Sequence, residues 1–210
     1  EDVSDGVVAL TKRRQSFRFI DVPSRPVPSL LRGFSAPVNL TIDLPDDDVE
    51  LLMAGDSDLF NRWQAANDFA ARTLMEGVAG LASGKRSQRP LRYARALGAT
   101  LSNDSLEPAY RAELLKLPTQ ADIARMIGKN VDPALIHRAQ RNLMKLIGRT
   151  LGPQLEQLYK EMEDKGPFSP DAASAGRRAL RNAALTMLTA RGMPEDIKRL
   201  AKHYAKATNM

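Results

Sequence analysis

The chain of 210 residues has no cysteine and only two histidines, His137 and His203. These absences exclude a disulfide framework, a thiol nucleophile and any cysteine-ligated zinc, haem or iron–sulfur centre. A zinc site using the commonest ligand would have only those two imidazoles to draw on. Aromatic residues make up 5% of the chain, few for the stacking surfaces that single-stranded nucleic acid uses. No run of 18 apolar residues and no secretory h-region occurs, so no membrane span is expected. The signatures of catalysis are missing too: no Gly-x-Ser-x-Gly elbow, phosphate loop, Gly-x-Gly-x-x-Gly or His-Glu-x-x-His. Residues 84–210 hold scattered carboxylates, none paired in a way that implies acid–base work. The expected catalytic, cofactor-binding and metal-ligating sites are therefore none, and the lack of cysteine fits a reducing, cytoplasmic setting.

What is there suffices for a core, since 43% of the residues are apolar. The net charge of +6 is unevenly spread: residues 1–45 carry 6 basic and 5 acidic side chains, residues 46–83 carry 2 and 8, and residues 84–210 carry 23 and 12. The first forty residues read as extended. Gly6 to Thr11 is a short β-rich run. From Gln15 to Ile20, Phe17 and Phe19 alternate with Ser16 and Arg18, which predicts a second strand with both rings on one face. Prolines 23, 26, 28 and 37 then keep residues 21–40 from being helical throughout. Two strands alone are marginal, so the pair is expected to belong to a larger sheet.

From Pro45 onward the pattern is helical. A first turn holds Asp46, Asp47, Asp48 and Glu50. A long helix capped by Asp56 or Ser57 runs to Ser83, with Leu59, Phe60, Trp63, Ala66, Ala70, Leu74 and Val78 as its core face. After a polar break at 84–89, helices are predicted over 90–102, 105–116, 119–128, 133–151, 153–164, 170–191 and 194–207. Thr119 with Asp122 resembles a capping box, and Asp132-Pro133 is a cap followed by proline at the first helical position. Pro153, Pro170 and Pro194 punctuate the rest in the same way. The fold expected is mainly α: a bundle or superhelical array of helical hairpins preceded by a short β-segment.

The charged clusters have ordinary readings. The acidic set at 46–50 lacks the spacing and glycine of a calcium loop and reads as a solvated first turn. His137, beside Leu135, Ala139, Leu143 and Leu146, has no ligand partner at helical spacing and faces Arg141, so it reads as a boundary or surface histidine; His203 sits between Lys202 and Lys206. Lys85, Arg86, Arg89, Arg92 and Arg95 form one basic cluster, and Arg177, Arg178 and Arg181 form another. With acids such as Glu107, Glu113, Glu156, Glu161 and Glu163 interleaved, both read as solvated helix surface rather than a nucleic-acid interface.

Several segments carry a family resemblance. Phe17-Arg-Phe-Ile-Asp-Val-Pro23 and Pro26-Val-Pro-Ser-Leu-Leu-Arg-Gly-Phe-Ser-Ala-Pro-Val38 resemble the strand and exit of the small β-sandwich of bacterial aminopeptidase N, a zinc exopeptidase family of the thermolysin-like clan. The likeness continues through Asp58-Leu-Phe-Asn-Arg-Trp-Gln-Ala65, Asp132-Pro-Ala-Leu-Ile-His137 and Arg177-Arg-Ala-Leu-Arg-Asn-Ala183 to Asn209-Met210. The proline-rich segment and Phe60-Asn-Arg-Trp63 are its most specific parts. The family's zinc helix, glutamate ligand, Gly-x-Met-Glu-Asn segment and catalytic tyrosine have no counterpart here. The resemblance implies a non-catalytic portion of such an enzyme: residues 1–40 from the end of the β-sandwich, and residues 41–210 from the first half of the helical domain that encloses the peptide cavity. Glu1 and Met210 are then expected to lie inside domains of a longer chain. The implied partners are the catalytic domain of the same polypeptide, which holds the zinc, and peptide substrates. The alternative is a stand-alone helical scaffold that binds a protein or polyanion through its basic half, with affinity that falls steeply with salt.

Overall fold

A computed structural model describes the chain apart from residues 1–2, 5–6, 86, 165 and 208–210. Its β-structure is slight. Strands β1 (Val3–Ser4) and β2 (Val7–Val8) pair antiparallel, with Val3 opposite Val8. Gly6, at the head of the predicted run, lies outside the described residues. The strand expected over Gln15–Ile20 does not form: among the described residues it joins no β-ladder, and Phe19 and Ile20 are 63% and 75% exposed. Alternation identifies a face, but a strand also needs a ladder partner for its N–H and C=O groups, and none lies alongside. Residues 21–40 are irregular except for a 3-10 turn at Arg32–Phe34.

Nine α-helices follow among the described residues: α1 (Asp46–Gly55), α2 (Leu59–Ser83), α3 (Arg89–Leu101), α4 (Pro108–Leu114), α5 (Gln120–Ile127), α6 (Pro133–Thr150), α7 (Gly152–Glu161), α8 (Ala172–Ala190) and α9 (Pro194–Ala205). The sequence set most of their starts. The Thr119 hydroxyl accepts from the N–H of Asp122, whose carboxylate accepts in return from Thr119, completing the capping box. Asp132 accepts from the N–H groups of Ala134 and Leu135 ahead of Pro133. Three starts differ from expectation. The cap of α2 is Asp58, which accepts from the N–H groups of Phe60 and Asn61 at 3.0 Å each; Asp56 is committed elsewhere, as shown below. Helix α4 begins three residues later than predicted, with Pro108 in its first turn. Pro170, unlike Pro153 and Pro194, lies outside its helix, and Asp171 caps α8.

Helix α2 is the hub of the first half. It packs against α1, α3, α4, α5 and α6, and α8 plays the same part for α4, α6, α7 and α9. Stacked helical pairs thus form a superhelical array, as the short connections implied. The core face of α2 is displaced from the predicted one. Ala66, Ala70 and Leu74 are buried as expected, but Leu59 and Phe60 are 50% and 44% exposed, while Ala65, Phe69, Ala71 and Thr73 are buried. With neighbours on several sides, a single stripe does not describe the helix. Phe69 is fully buried and meets Tyr93 of α3 edge-to-face, ring centroids 5.6 Å apart.

The α6–α8 crossing depends on Gly148, where a Cβ would collide with the backbone carbonyl of Met187. At Gly77 of α2 a Cβ would make ordinary contact with Ala139 at 3.5 Å. Gly148→Ala is therefore expected to destabilise the chain by about 1–3 kcal/mol, whereas Gly77→Ala, which gains helix propensity, should be neutral or stabilising by up to about 1 kcal/mol. Urea denaturation of the two variants checks this. The helix caps give a pH prediction. Asp58, Asp122 and Asp171 are held below the usual carboxylate value of 3.8 by the hydrogen bonds they accept: Asp58 from the N–H groups of Asn61, Gly33 and Phe60, Asp122 from Thr119, and Asp171 from Ser169 and Ser174. A depressed folded value stabilises the native state above the unfolded pKa, and this is lost as pH falls through the folded one. Replacing all three by asparagine, which caps without titrating, should preserve more of the urea midpoint at about pH 3 than the unsubstituted chain retains.

Candidate functional site

The acidic first turn of α1 is solvated only at Asp47, and its carboxylates are drawn into ion pairs, unlike the sequence reading. Asp48 is buried and takes the Arg25 guanidinium; Asp46 takes Arg89 at 2.9 Å; Asp47 and Glu50 share Arg92. Arg89 also reaches Glu76 of α2 at 3.1 Å. The two carboxylates raise the Arg92 pKa further, keeping its charge fixed. Arg89 and Arg92, read as solvated cations, thus join α3 to α1. Arg95 is exposed as expected, and Arg86 lies outside the described residues. Among the described residues no group of three or more His, Asp or Glu is placed to hold a metal ion.

The turn between α1 and α2 forms a clamp for the irregular segment ahead of the helices. The Asp56 side chain, 1% exposed, accepts from Arg32 Nη1 at 2.7 Å and from the Ser29 hydroxyl at 2.5 Å. Arg32 Nη2 donates to Ser57, the Gly33 N–H donates to Asp58 at 3.0 Å, and Asn61 Nδ2 donates to Ser29 and to the Leu30 carbonyl. Leu31, Gly33 and Phe34 all have positive φ, and the closing hydrogen bonds hold this turn in place. Within α1–α2, buried Arg62 donates from Nε to the Met53 carbonyl at 3.0 Å and from Nη2 to Ala54, capping the end of α1. Arg25, Arg32 and Arg62 were not singled out as functional. The one sequence signal was Arg62, in the middle of Phe60-Asn-Arg-Trp63. Trp63 itself is half-buried against the core and stacks in a row with Phe60 and Phe34.

Beside the clamp, the segment 28–42 and helices α1 and α2 line an apolar groove of about 600 Å³. Asp68 faces it, hydrogen-bonded by Gln64 at 2.7 Å, and burial raises its pKa above the usual value.

A larger hollow of about 730 Å³ lies between α7, α8 and α9. The second basic cluster is found here, and it too is paired. Arg181 binds Glu163 at 2.8 Å and lies over the Tyr159 ring at 4.6 Å; Arg178 lies 3.6 Å from Asp164 and covers Phe168; Arg177 donates to the carbonyls of Glu161 and Glu163. At the back, fully buried Asp196 takes both Arg191 and Arg199, while Glu156 takes Arg191 as well. His203 shares a hydrogen bond with the Tyr159 hydroxyl at 3.1 Å. Partial burial, with the Arg181 charge adding to it, lowers the His203 pKa. His137 is exposed on α6 and paired with Gln120 at 3.1 Å. The structure therefore does not bring the two histidines together.

The clamp and array have clear relatives. Residues 46–210 match a family described as a domain of unknown function, DUF3458_C, of armadillo repeats, and residues 1–43 match the companion DUF3458 domain of Ig-like fold. The chain belongs to the DUF3458_C family. It is 43% identical over 97% of its length to aminopeptidase N of Caulobacter vibrioides, and 29% identical over 98% to aminopeptidase N of Escherichia coli. The crystal structure of Legionella pneumophila aminopeptidase A in complex with aspartic acid superposes on 92% of the chain with a TM-score of 0.75 at 25% identity. In each case the chain spans only 23% of the relative's length. The region is thus homologous to a C-terminal part of these aminopeptidases, as the sequence resemblance implied. No helix among the described residues is long and apolar enough to cross a membrane.

If Asp56 secures the segment before α1, Asp56→Ala should release it. The expected loss is about 1.5–3 kcal/mol, the range for hydrogen bonds to a charged group. Amide hydrogen exchange is expected to rise at Gly33 and Phe34 while the core of α6 stays protected.

Proposed function

We propose that this DUF3458 region is a non-catalytic part of an aminopeptidase that releases N-terminal residues from peptides, with its helical array enclosing the substrate cavity beside a catalytic domain of the same polypeptide. The observation that carries the reading is the collinear match to two aminopeptidase N chains over nearly the whole of this sequence, at 43% identity in one of them. The geometry supports a wall rather than a reaction centre. The array is stiffened by arginine–carboxylate pairs between neighbouring helices, and many of its acidic groups are committed to those pairs or to helix caps.

Zinc chemistry in the parent enzyme would supply an activated water for attack on the first peptide bond. The residues present do not fit that ion: His137 and His203 stand apart, each bonded to a neighbour, and no carboxylate cluster joins them. No step of the reaction is therefore assigned to this chain, and zinc is taken to be held by residues beyond it. The work of the enzyme is placed in the cytoplasm on the same reading.

Two measurements test the proposal. The purified chain should bind no stoichiometric zinc and should not hydrolyse an aminoacyl arylamide. Turnover that persists through purification and responds to a chelator would overturn it. In the Caulobacter relative, replacing the surface equivalent to α2–α6 with bulky side chains should slow hydrolysis of long peptides more than of dipeptides. An equal effect on both would remove the enclosing role.

A further inference from the structure

We propose that the hollow between α7, α8 and α9 binds an acidic peptide segment, one that carries carboxylates at alternate positions of an extended chain. The proposal rests on this chain's own surface and not on the reading above.

The arginines around the hollow are already matched: Arg181 with Glu163, Arg178 with Asp164, Arg199 with Asp196. The lysines are not. Lys160 of α7 and Lys198, Lys202 and Lys206 of the α9 segment line the hollow, are exposed, and enter no ion pair among the described residues. Only one lining carboxylate, Glu195, is likewise uncommitted. Four free ammonium groups thus face one carboxylate across an open-sided hollow of about 730 Å³, within the range of a small-ligand or short-peptide site.

The spacing selects the ligand. Lys198, Lys202 and Lys206 recur at every fourth position, so they share one helix face and rise by about 6 Å per step. Alternate side chains of an extended peptide lie about 6.6 Å apart on one side. A run of Asp or Glu at every second residue therefore meets this row nearly in register, with Lys160 reaching in from the opposite wall. Lysine suits the task, since its mobile point charge tolerates a small mismatch of repeat. A nucleic-acid strand offers a comparable charge spacing but also asks for aromatic faces. Here those faces are taken: Arg181 lies 4.6 Å from the Tyr159 ring and Arg199 5.9 Å, and Arg178 lies 4.8 Å from Phe168. The favoured occupant is a peptide.

Fluorescence anisotropy with a labelled peptide of alternating aspartate and glycine, carrying three aspartates, tests this on the full chain. At low ionic strength the signal should saturate, and it should fall as salt is raised. Lys198→Glu with Lys202→Glu, both on the exposed face, should weaken binding by at least about tenfold, while Lys145→Glu on the exposed side of α6 should change it by less than about twofold. Unchanged circular dichroism confirms that the variants fold. For that pair, Lys198→Gln with Lys202→Gln should give an intermediate loss. Three results would each overturn the proposal: no saturable binding at low salt, an equal effect of Lys145→Glu, or displacement of the probe by oligothymidylate at lower concentration than by unlabelled acidic peptide.

Discussion

The structure depends on arginine side chains that cross from one element to the next and end on a carboxylate or a helix-terminal carbonyl. Arg25 and Arg32 tie the irregular segment to Asp48 and Asp56; Arg62 closes the end of α1 from α2; Arg72 reaches the Leu44 carbonyl; Arg89 and Arg92 bind α3 to α1; Arg191 joins α8 to α9 and α7. Exposed ion pairs are worth little singly. These differ in that one partner is often buried, as at Asp48, Asp56 and Asp196. Removing the cation would then strand a charge away from water, which is costly. The planar guanidinium suits this use because several of its N–H groups can be satisfied at once.

That division of labour explains where the positive charge goes. The excess over residues 84–210 suggested a broad basic surface, but much of its arginine is neutralised within the fold. Lysine is left for the outside: of the lysines, only Lys116 makes an ion pair, with Glu113, among the described residues. Arg95, Arg138, Arg141 and Arg149 are also exposed and enter no ion pair among the described residues, so the electrostatic field that a ligand meets is set by the placement of these unmatched cations and not by the net charge. Clustering on α7 and α9 makes the far end of the array its most electropositive described hollow.

Helix existence and most helix starts were legible, because capping chemistry is local. Thr119 and Asp122, or Asp132 and Pro133, need only each other and the backbone. Most of the misassigned features depend on something distant. Asp56 looked like a cap but is captured by Arg32, 24 residues upstream, so the cap moved to Asp58. Phe17 and Phe19 alternate like a strand, yet pairing is a property of two segments and not of one. Leu59 and Phe60 fit a helical stripe, but the stripe that is buried was decided by which helices surround α2. The charged clusters were misjudged for the same reason: Arg92 and Glu50 are 42 residues apart, and sequence spacing carries no trace of their meeting.

The charge placement bears on the proposed role as a wall beside a peptide cavity. A uniformly positive lining would repel the protonated amino terminus that an aminopeptidase must admit. The array presents no such uniform lining. Of the cations on α3, Arg89 and Arg92 are matched by Asp46, Asp47, Glu50 and Glu76 while Arg95 is not, and Asp68 adds a carboxylate facing the apolar groove. Among the described residues, exposed cations without an ion pair remain on α6, at Arg138, Arg141, Lys145 and Arg149, and at the α7–α9 end. A peptide near such a surface would be drawn by its carboxylates toward these cations, and its amino terminus would meet the least positive charge near α1 and α2. The polarity follows from which cations are paired within the fold and which are left in solvent.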